Sequence, residues 1–254
     1  MDENRTPPPS LPADGLSGRV VLVTGAGGTL GRAVVSAVRA AGGEAIATDL
    51  AGTPETDYPL DVASEEEWRR VTAAVEAGHG RLDGLVTCAG LMHVGSAAET
   101  RYDDWKRVMA VNADGVFLAT HWCWPLLERS AGASIVNLSS VSGLVGGARL
   151  AAYTASKGAV RLFSKSVALS GAKCTPPIRC NSVHPAFVEG SMVETLARAH
   201  GDPAITHEKM RAMVPLRRYA QPGEVAATVA WLLSPASSFA TGAEWVLDGG
   251  LTAS

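Results

Sequence analysis

Short apolar runs alternate along the chain with longer segments in which apolar residues recur at helical spacing. The runs are rich in β-branched residues and stop at glycine, aspartate or proline, as buried strands do. The predicted strands cover residues 19–24, 44–50, 58–61, 82–90, 133–140, 178–185 and 243–250. The predicted helices cover residues 29–43, 64–78, 103–130, 153–171 and 221–234. Strands that alternate with helices predict an α/β fold, a single-domain Rossmann-type doubly wound parallel β-sheet with helices on both faces.

Two segments fall outside this pattern. Residues 190–214 contain several methionines and are predicted to be irregular. Residues 1–16 are polar and Pro-rich, lack the basic-then-apolar order of a secretory signal, and are predicted to form a flexible arm. No change of composition marks a second domain, so residues 17–254 are predicted to form one catalytic domain.

Composition and charge narrow the possible partners. The chain has 254 residues, of which 46% are apolar and 19% are charged, with a net charge of -3. This mild acidity gives no reason to expect nucleic acid or an anionic membrane as a partner. The four cysteines lack C-x-x-C spacing, so no metal site is predicted, and a reduced, cytoplasmic setting is expected.

The segment TGAGGTLG (24–31) joins the first predicted strand to the first helix. Glycines at such a turn let the backbone approach a pyrophosphate, and the helix N-terminus presents free N–H groups to it. The alternative is a tight turn without a ligand. The flanking strand–helix–strand order favours phosphate binding, with Gly25, Gly28, Thr29, Leu30 and Gly31 as candidate residues.

Asp49 ends the second predicted strand. A carboxylate there can accept hydrogen bonds from the adenosine ribose and would repel a 2′-phosphate. No Arg or Lys directly follows Asp49, so the sequence favours NAD over NADP. The alternative is a surface aspartate that caps a loop.

Tyr153 and Lys157 lie four residues apart among small residues and share a face if the segment is helical. A lysine beside a tyrosine can favour the phenolate form that proton transfer requires. The pair could equally be a packed aromatic and a solvated charge, and the spacing alone does not decide between these interpretations.

Further motifs occur in a fixed order along nearly the whole chain. They are TGAGGTLG (24–31), LDV (60–62), TCAG (87–90), VNADG (111–115), IVNLSSVSG (135–143), YTASK (153–157), NSVHPAFV (181–188) and TGAEWVLDGG (241–250). Together they resemble the motifs of the short-chain dehydrogenases/reductases over about residues 17–252.

The resemblance implies NAD-dependent hydride transfer at a secondary alcohol or ketone. It implies that Tyr153 donates or accepts the proton at the alcohol oxygen and that Ser140 holds this oxygen. Lys157 would lower the Tyr153 pKa and hydrogen-bond the nicotinamide ribose. Asn112 would bend its helix and anchor a water that joins Lys157 to solvent.

The resemblance also implies further cofactor contacts, which run from the adenine to the nicotinamide. Leu50 follows Asp49 at the ribose, and Asp61 and Val62 would hold the adenine. The remaining implied contacts are Cys88, Ala89, Gly90, Pro185, Val188 and Ser191.

Several positions depart from the family pattern. Thr29 replaces a glycine of the turn and would clash if its φ had to be positive. Thr87 and Cys88 replace two asparagines, which removes side-chain hydrogen bonds. Ala186 replaces a glycine. Gly190 stands where the family often has a threonine that touches the carboxamide, and Ser191 is the expected substitute.

The substrate is predicted to be hydrophobic and cyclic or bulky, and to bind mainly to residues 190–214. The apolar candidates are Leu91, Met92, Leu144, Val145, Leu150, Phe187, Met192, Met210 and Met213. The same residues could instead form core or subunit contacts. His93 could touch substrate, whereas His184, beside Pro185 at a strand end, is predicted to be structural.

Two other functions stay open. One is a non-catalytic NAD-binding regulatory protein, which would not need Ser140, Tyr153, Lys157 and Asn112 together. The other is reduction of a carrier-bound or thioester-bound 3-oxoacyl chain, which a basic docking patch would favour. The resemblance further implies a homotetramer or homodimer, formed through the long helices and the last strand.

Overall fold

The structure is a computed structural model that describes residues 15–199 and 201–253. Within these residues, seven parallel strands form one sheet in the order β3-β2-β1-β4-β5-β6-β7. The strands are β1 (Val20–Thr24), β2 (Glu44–Asp49), β3 (Tyr58–Pro59), β4 (Gly84–Thr87), β5 (Ser134–Leu138), β6 (Arg179–Pro185) and β7 (Glu244–Leu247). The predicted doubly wound parallel sheet is confirmed.

Eight α-helices are described, and they connect the strands on both faces of the sheet. They are α1 (Thr29–Ala40), α2 (Glu65–His79), α3 (Tyr102–Met109), α4 (Gly115–Leu127), α5 (Ala151–Gly171), α6 (Ser191–Arg198), α7 (Pro203–Met213) and α8 (Pro222–Leu233). A π-helical turn (Ala110–Asp114) joins α3 to α4. None of the described helices is long and apolar enough to cross a membrane.

The apolar core has two layers, one on each face of the sheet. Val21 and Val23 of β1 face the layer that α1 and α8 cover. Val20 and Leu22 of the same strand face the layer that α2, α4 and α5 cover. All residues of β1 are therefore buried, which explains why its sequence is a continuous apolar run rather than an alternating one.

Two sequence predictions need correction. Leu16 was placed in the arm, but it is fully buried in the α1 layer and its N–H donates to Ala41 O at 2.8 Å, so packing begins before residue 17. Residues 190–214 are not irregular, because they contain α6 and α7. Asp202 caps α7 by accepting from Ala204 N at 2.8 Å, and Pro203 opens it.

The remaining differences concern helix length and the N-terminus. The predicted helix 103–130 is divided by the π-helical turn that contains Asn112, the residue at which a bend was expected. Residues 1–14 of the predicted arm lie outside the described residues.

The strand order reverses direction at β1. The chain runs outward from β1 to β2 and β3, then returns to β4 on the other side of β1. The loops after β1 and β4 therefore diverge at the carboxyl ends of these strands and leave a crevice between them. In open α/β sheets this crevice is where ligands bind.

One buried carboxylate fixes the opposite end of these central strands. Asp83 is 6% exposed, and its Oδ2 accepts from Val20 N at 2.9 Å. Its Oδ1 accepts from Ser130 Oγ at 2.6 Å. The side chain thus joins the start of β1 to the segment that follows α4.

We expect Asp83→Ala to lower the free energy of unfolding by about 2–4 kcal/mol, because a buried N–H and a buried hydroxyl lose their acceptor. Urea denaturation followed by circular dichroism measures the change. Asp103→Ala is the control, since that exposed carboxylate pairs only with Lys106 at 2.9 Å and its loss should cost less than about 0.5 kcal/mol. Equal unfolding midpoints for the two variants would contradict the assignment.

Candidate active site

A cavity of about 820 Å³ opens at the carboxyl ends of β1, β4, β5 and β6. It runs from Asp49 and Asp61 past the glycine turn to Ser140 and Tyr153. The cavity therefore extends from the predicted dinucleotide site to the predicted site of proton transfer. Both predicted sites therefore belong to one continuous cleft.

The backbone of the glycine turn packs so closely against the segment after β4 that side chains are excluded. This absence of side chains leaves the turn open to a diphosphate. Gly25 has φ +64°, and a Cβ there would lie 2.6 Å from Ala89 N. A Cβ at Gly31 would overlap the Gly25 carbonyl oxygen. Gly28 precedes α1 without any side-chain cap, so N–H groups of the first helical turn are left for an anion.

Thr29 is accommodated without strain in the turn. It is the first residue of α1, and the described residues with positive φ other than glycine are Glu55 and Arg217. The clash that the sequence raised for a branched residue therefore does not arise.

Asp49 supports the same turn from the end of β2. Its Oδ2 accepts from Gly27 N at 2.8 Å, and its Oδ1 accepts from Leu50 N at 2.7 Å. A carboxylate oxygen can accept more than one hydrogen bond, so both oxygens keep capacity for a ligand hydroxyl. Asp49 is thus more than a surface loop cap, because it lines the cavity and orders the glycine turn.

Asn112 lies fully buried in the π-helical turn and joins three elements. Its Oδ1 accepts from Leu91 N at 2.8 Å, and its Nδ2 donates to Leu91 O at 2.8 Å. Nδ2 also donates to Ser156 Oγ of α5 at 3.0 Å. The side chain therefore fixes the chain after β4 against α5, the helix that carries Tyr153.

Tyr153 presents its hydroxyl to the cavity. The hydroxyl donates to Met192 Sδ at 3.7 Å, and the side chain of Ser140 lies close enough to it to affect its pKa. Burial raises the pKa of Tyr153 above its ordinary value, and the nearby Ser140 hydroxyl opposes this rise. A buried, weakly acidic hydroxyl at the wall of an apolar cavity is placed to exchange a proton with a bound alcohol.

Lys157 lies one helical turn further along α5, and its Nζ donates to Leu138 O at 2.7 Å. Burial lowers the pKa of Lys157 to about 8, with the nearby Cys88 thiol acting in the opposite direction. The ammonium lies 5.7 Å from the centroid of the Tyr153 ring. The expected effect of Lys157 on the pKa of Tyr153 stays a prediction, and the largest influence on this pKa in the structure is burial.

Ser140 is held by the backbone at the end of β5. Its Oγ accepts from Ser142 N at 3.1 Å and lies 3.5 Å from Pro185 O. Ser140 O accepts from the Nδ1–H of His184 at 3.0 Å, and His184 Nε2 accepts from Ser182 Oγ at 2.8 Å. His184 is fully buried, and this burial lowers its pKa, so its predicted structural role agrees with its contacts.

Most residues that the sequence singled out line the cavity. Those with a predicted cofactor or catalytic role are Gly25, Gly28, Thr29, Leu30, Gly31, Asp49, Leu50, Asp61, Val62, Cys88, Ala89, Gly90, Ser140, Tyr153, Pro185, Val188 and Ser191. Lys157 and Asn112 lie behind the wall. A Cβ at Gly90 would lie 3.6 Å from Lys157 Nζ and 3.8 Å from Asn112 Oδ1, so both polar atoms border the same point.

The predicted substrate residues divide into two groups. Leu91, Met92, Leu150, Phe187 and Met192 line the cavity. Leu144, Val145, Met210, Met213 and His93 do not. Met210 packs instead in a small core with Val193 and Tyr219, and the Met213 side chain is largely exposed.

Sequence reasoning missed several lining residues. Val193 and Leu196 belong to the predicted substrate segment 190–214 but were not singled out, because α6 was not predicted as a helix. Thr53 follows β2 in a turn and carries no motif. Arg107 is the one basic side chain among the described residues that line the cavity. The position of Arg107, five residues before Asn112, was the sequence signal that could have identified it as a lining residue.

Comparisons with known proteins agree with this geometry. A family model described as enoyl-(acyl carrier protein) reductase matches residues 24–252. The NADP-dependent (R)-specific alcohol dehydrogenase of Lentilactobacillus kefiri is 35% identical over 94% of this chain and 99% of that protein. The cyclopentanol dehydrogenase of Comamonas testosteroni is 36% identical over 93% of this chain and 88% of that protein.

Solved structures give the same result. The ligand-free aldohexose dehydrogenase of Thermoplasma acidophilum superimposes with a TM-score of 0.87 and 31% identity, covering 95% of this chain and 96% of that one. The motifs, the glycine turn, the Ser140–Tyr153 pair and these relatives lead to one conclusion. The chain belongs to the short-chain dehydrogenase/reductase family, as an oxidoreductase that acts on the CH–OH group.

Proposed function

We propose that this protein transfers a hydride between NAD(H) and a hydrophobic secondary alcohol or its ketone, with Tyr153 as the acid or base. The observation that carries the proposal is the Tyr153 hydroxyl, which lies beside Ser140 in a cavity that continues to the glycine turn. One cavity then holds both the proton-transferring group and the cradle for a diphosphate.

The chain's own residues supply position and proton transfer. When bound, the nicotinamide ring supplies the carbon that accepts or donates the hydride. During oxidation Tyr153 Oη takes the proton of the alcohol, and during reduction it returns a proton to the ketone oxygen. Ser140 Oγ holds that same oxygen.

Proton exchange with solvent passes behind the cavity wall in this proposal. Lys157 Nζ and Asn112 Oδ1 border the same point beside Gly90. A water at that point would find both a donor and an acceptor. Lys157 would also hydrogen-bond the nicotinamide ribose, while Leu138 O keeps the ammonium in place.

NAD is favoured over NADP by the charge at the end of β2. Asp49 lines the cavity there, and a 2′-phosphate beside its carboxylate would meet like charge. Asp61 and Val62 line the adjacent wall, where the adenine is expected. This proposal differs from the cofactor named for the Lentilactobacillus relative.

The substrate class follows from the apolar end of the cavity. Leu91, Leu150, Phe187 and Met192 line the cavity that holds the Tyr153 hydroxyl. These apolar side chains favour a hydrophobic alcohol, cyclic or bulky, over a sugar or a polyol. The relatives named for cyclopentanol and (R)-specific alcohols support the same class.

The carrier-bound alternative receives little support from the charges. A basic docking patch would favour that alternative, and Arg217 and Arg218 form the adjacent basic pair that could belong to such a patch. Arg218 makes a bidentate pair with Glu224 at 2.7 Å, and Arg217 donates to Ala212 O at 2.7 Å. Both guanidinium groups are therefore engaged within the chain. The regulatory alternative leaves the Tyr153–Ser140 contact without a purpose.

The cellular compartment and the oligomeric state of the protein stay predictions. Cys88, Cys123, Cys174 and Cys180 are free thiols, which supports a reducing compartment such as the cytoplasm. Phe117 of α4 and Leu162 and Leu169 of α5 are more than half exposed, which supports a homotetramer or homodimer through these helices.

We expect NADH to form when the purified protein is given NAD and apolar cyclic or aromatic secondary alcohols. The rate should rise with pH through the alkaline range, because the raised pKa of Tyr153 keeps the phenol protonated near neutrality. Tyr153→Phe should lower kcat by a factor of about 10³ or more while NADH still binds, as measured by ligand fluorescence. Full turnover by this variant would remove Tyr153 from the reaction.

Asp49→Asn should lower NAD affinity by about tenfold and narrow the preference for NAD over NADP, because it keeps an acceptor oxygen but removes the charge. Titration calorimetry with NAD and NADP gives the ratio of their dissociation constants directly. This ratio corrects for any general damage to the turn, which would weaken both cofactors alike. An unchanged ratio would show that Asp49 does not select the cofactor.

Light scattering of the purified protein should give a mass of two or four chains, each of 26.3 kDa. Leu169→Lys, on the outer face of α5, should shift the distribution toward smaller species, since it introduces a charge into an apolar contact. A mass of one chain at micromolar concentration would contradict the predicted assembly.

A further inference from the structure

Two departures from the family pattern, Thr29 and Gly190, lie in contact across the cleft. Gly190 precedes α6 with φ +146°. A Cβ at Gly190 would lie 2.6 Å from Thr29 Oγ1 and 2.7 Å from Thr29 Cγ2. The side chain of Thr29 therefore fills the space that a side chain at position 190 would take.

The hydroxyl of Thr29 lies at an anion-binding position. Thr29 is the first residue of α1, next to the uncapped Gly28, and it lines the cavity. Its Oγ1 makes no hydrogen bond with any part of the chain that the structure describes. A hydroxyl at a helix N-terminus, beside free N–H groups and without a partner in the protein, is available to an anionic ligand.

The branched shape of Thr29 also holds its hydroxyl in place. A β-branched side chain is stiff at χ1, and Thr29 Cγ2 lies against Gly190 on one side. A stiff side chain loses less conformational freedom when a ligand binds, which lowers the entropy cost of binding.

We propose that the Thr29 hydroxyl donates a hydrogen bond to the diphosphate of the bound dinucleotide, and that position 190 is glycine because Thr29 occupies its side-chain space. This inference rests on the proposed function, because it takes the cleft to be a dinucleotide site.

Thr29→Val tests the hydrogen bond, since valine keeps the branched shape and loses only the hydroxyl. Calorimetric titration with NADH, ADP-ribose and AMP separates the parts of the ligand. We expect Thr29→Val to weaken the binding of NADH and ADP-ribose by about tenfold or more, as for a lost hydrogen bond to a charged group. The affinity for AMP should be unchanged. Thr29→Ser should recover most of the affinity.

Thr228→Val is the matched control, because Thr228 lies on α8 and does not line the cavity. It should bind all three ligands like the parent protein. Three results would overturn the inference: unchanged binding by Thr29→Val, weakening confined to NADH, or a loss found instead in Ser191→Ala. If the parent protein binds neither NADH nor ADP-ribose, the proposed function itself fails, which is a separate outcome.

A double-mutant cycle tests the contact independently of any ligand. Gly190→Ala suffers backbone strain at φ +146° in every background, but it clashes with residue 29 only when Thr29 is present. Gly190→Ala should therefore lower Tm less in the Thr29→Gly background than in the parent protein. Gly201→Ala is the control, because Gly201 has φ +102° with no atom within 4 Å, so its effect should be equal in both backgrounds. Equal losses for Gly190→Ala would contradict the proposed exchange.

Discussion

The buried amide of Asn112 is the interaction on which the site depends. One side chain satisfies both backbone groups of Leu91 and the hydroxyl of Ser156. It can do so only because the helix opens into a π-helical turn at this point, which brings the amide out of the regular helical register. The end of β4 and the N-terminal half of α5 are thereby fixed together, and Tyr153 faces the crevice that the strand order creates.

Burial sets the electrostatics of this crevice. It raises the pKa of Tyr153 and of the Cys88 thiol, the latter to about 12, and it lowers the pKa of Lys157 to about 8. All three shifts favour neutral groups, because a charge loses its hydration in an apolar wall. The Cys88 thiol is therefore an unreactive wall group, and Lys157 can exchange its proton near neutral pH. The protein thus holds its proton-transferring groups where their neutral forms are favoured.

The contact between Thr29 and Gly190 shows how a departure at one position is matched at another. A threonine in the turn and a glycine before α6 are each unusual for the family taken singly. In the structure the side chain of Thr29 occupies the volume that a side chain at position 190 would need, so position 190 could not gain one while Thr29 stays in place. Sequence reasoning treated them as separate departures and assigned the missing hydroxyl to Ser191, because no pattern in one sequence relates residues 29 and 190.

The sequence by itself determined the α/β sheet, the glycine turn, Asp49 at the strand end and the Ser140–Tyr153 pair, because these depend on local periodicity and on short motifs. Only the tertiary structure decided which groups surround each of them. It made α6 and α7 out of a segment without clear periodicity, moved Met210 into a separate core, and placed Arg107 at the cavity. It also decided that burial is the largest influence on the pKa of Tyr153, since a pKa depends on burial and on neighbours distant in sequence, which a linear pattern does not contain.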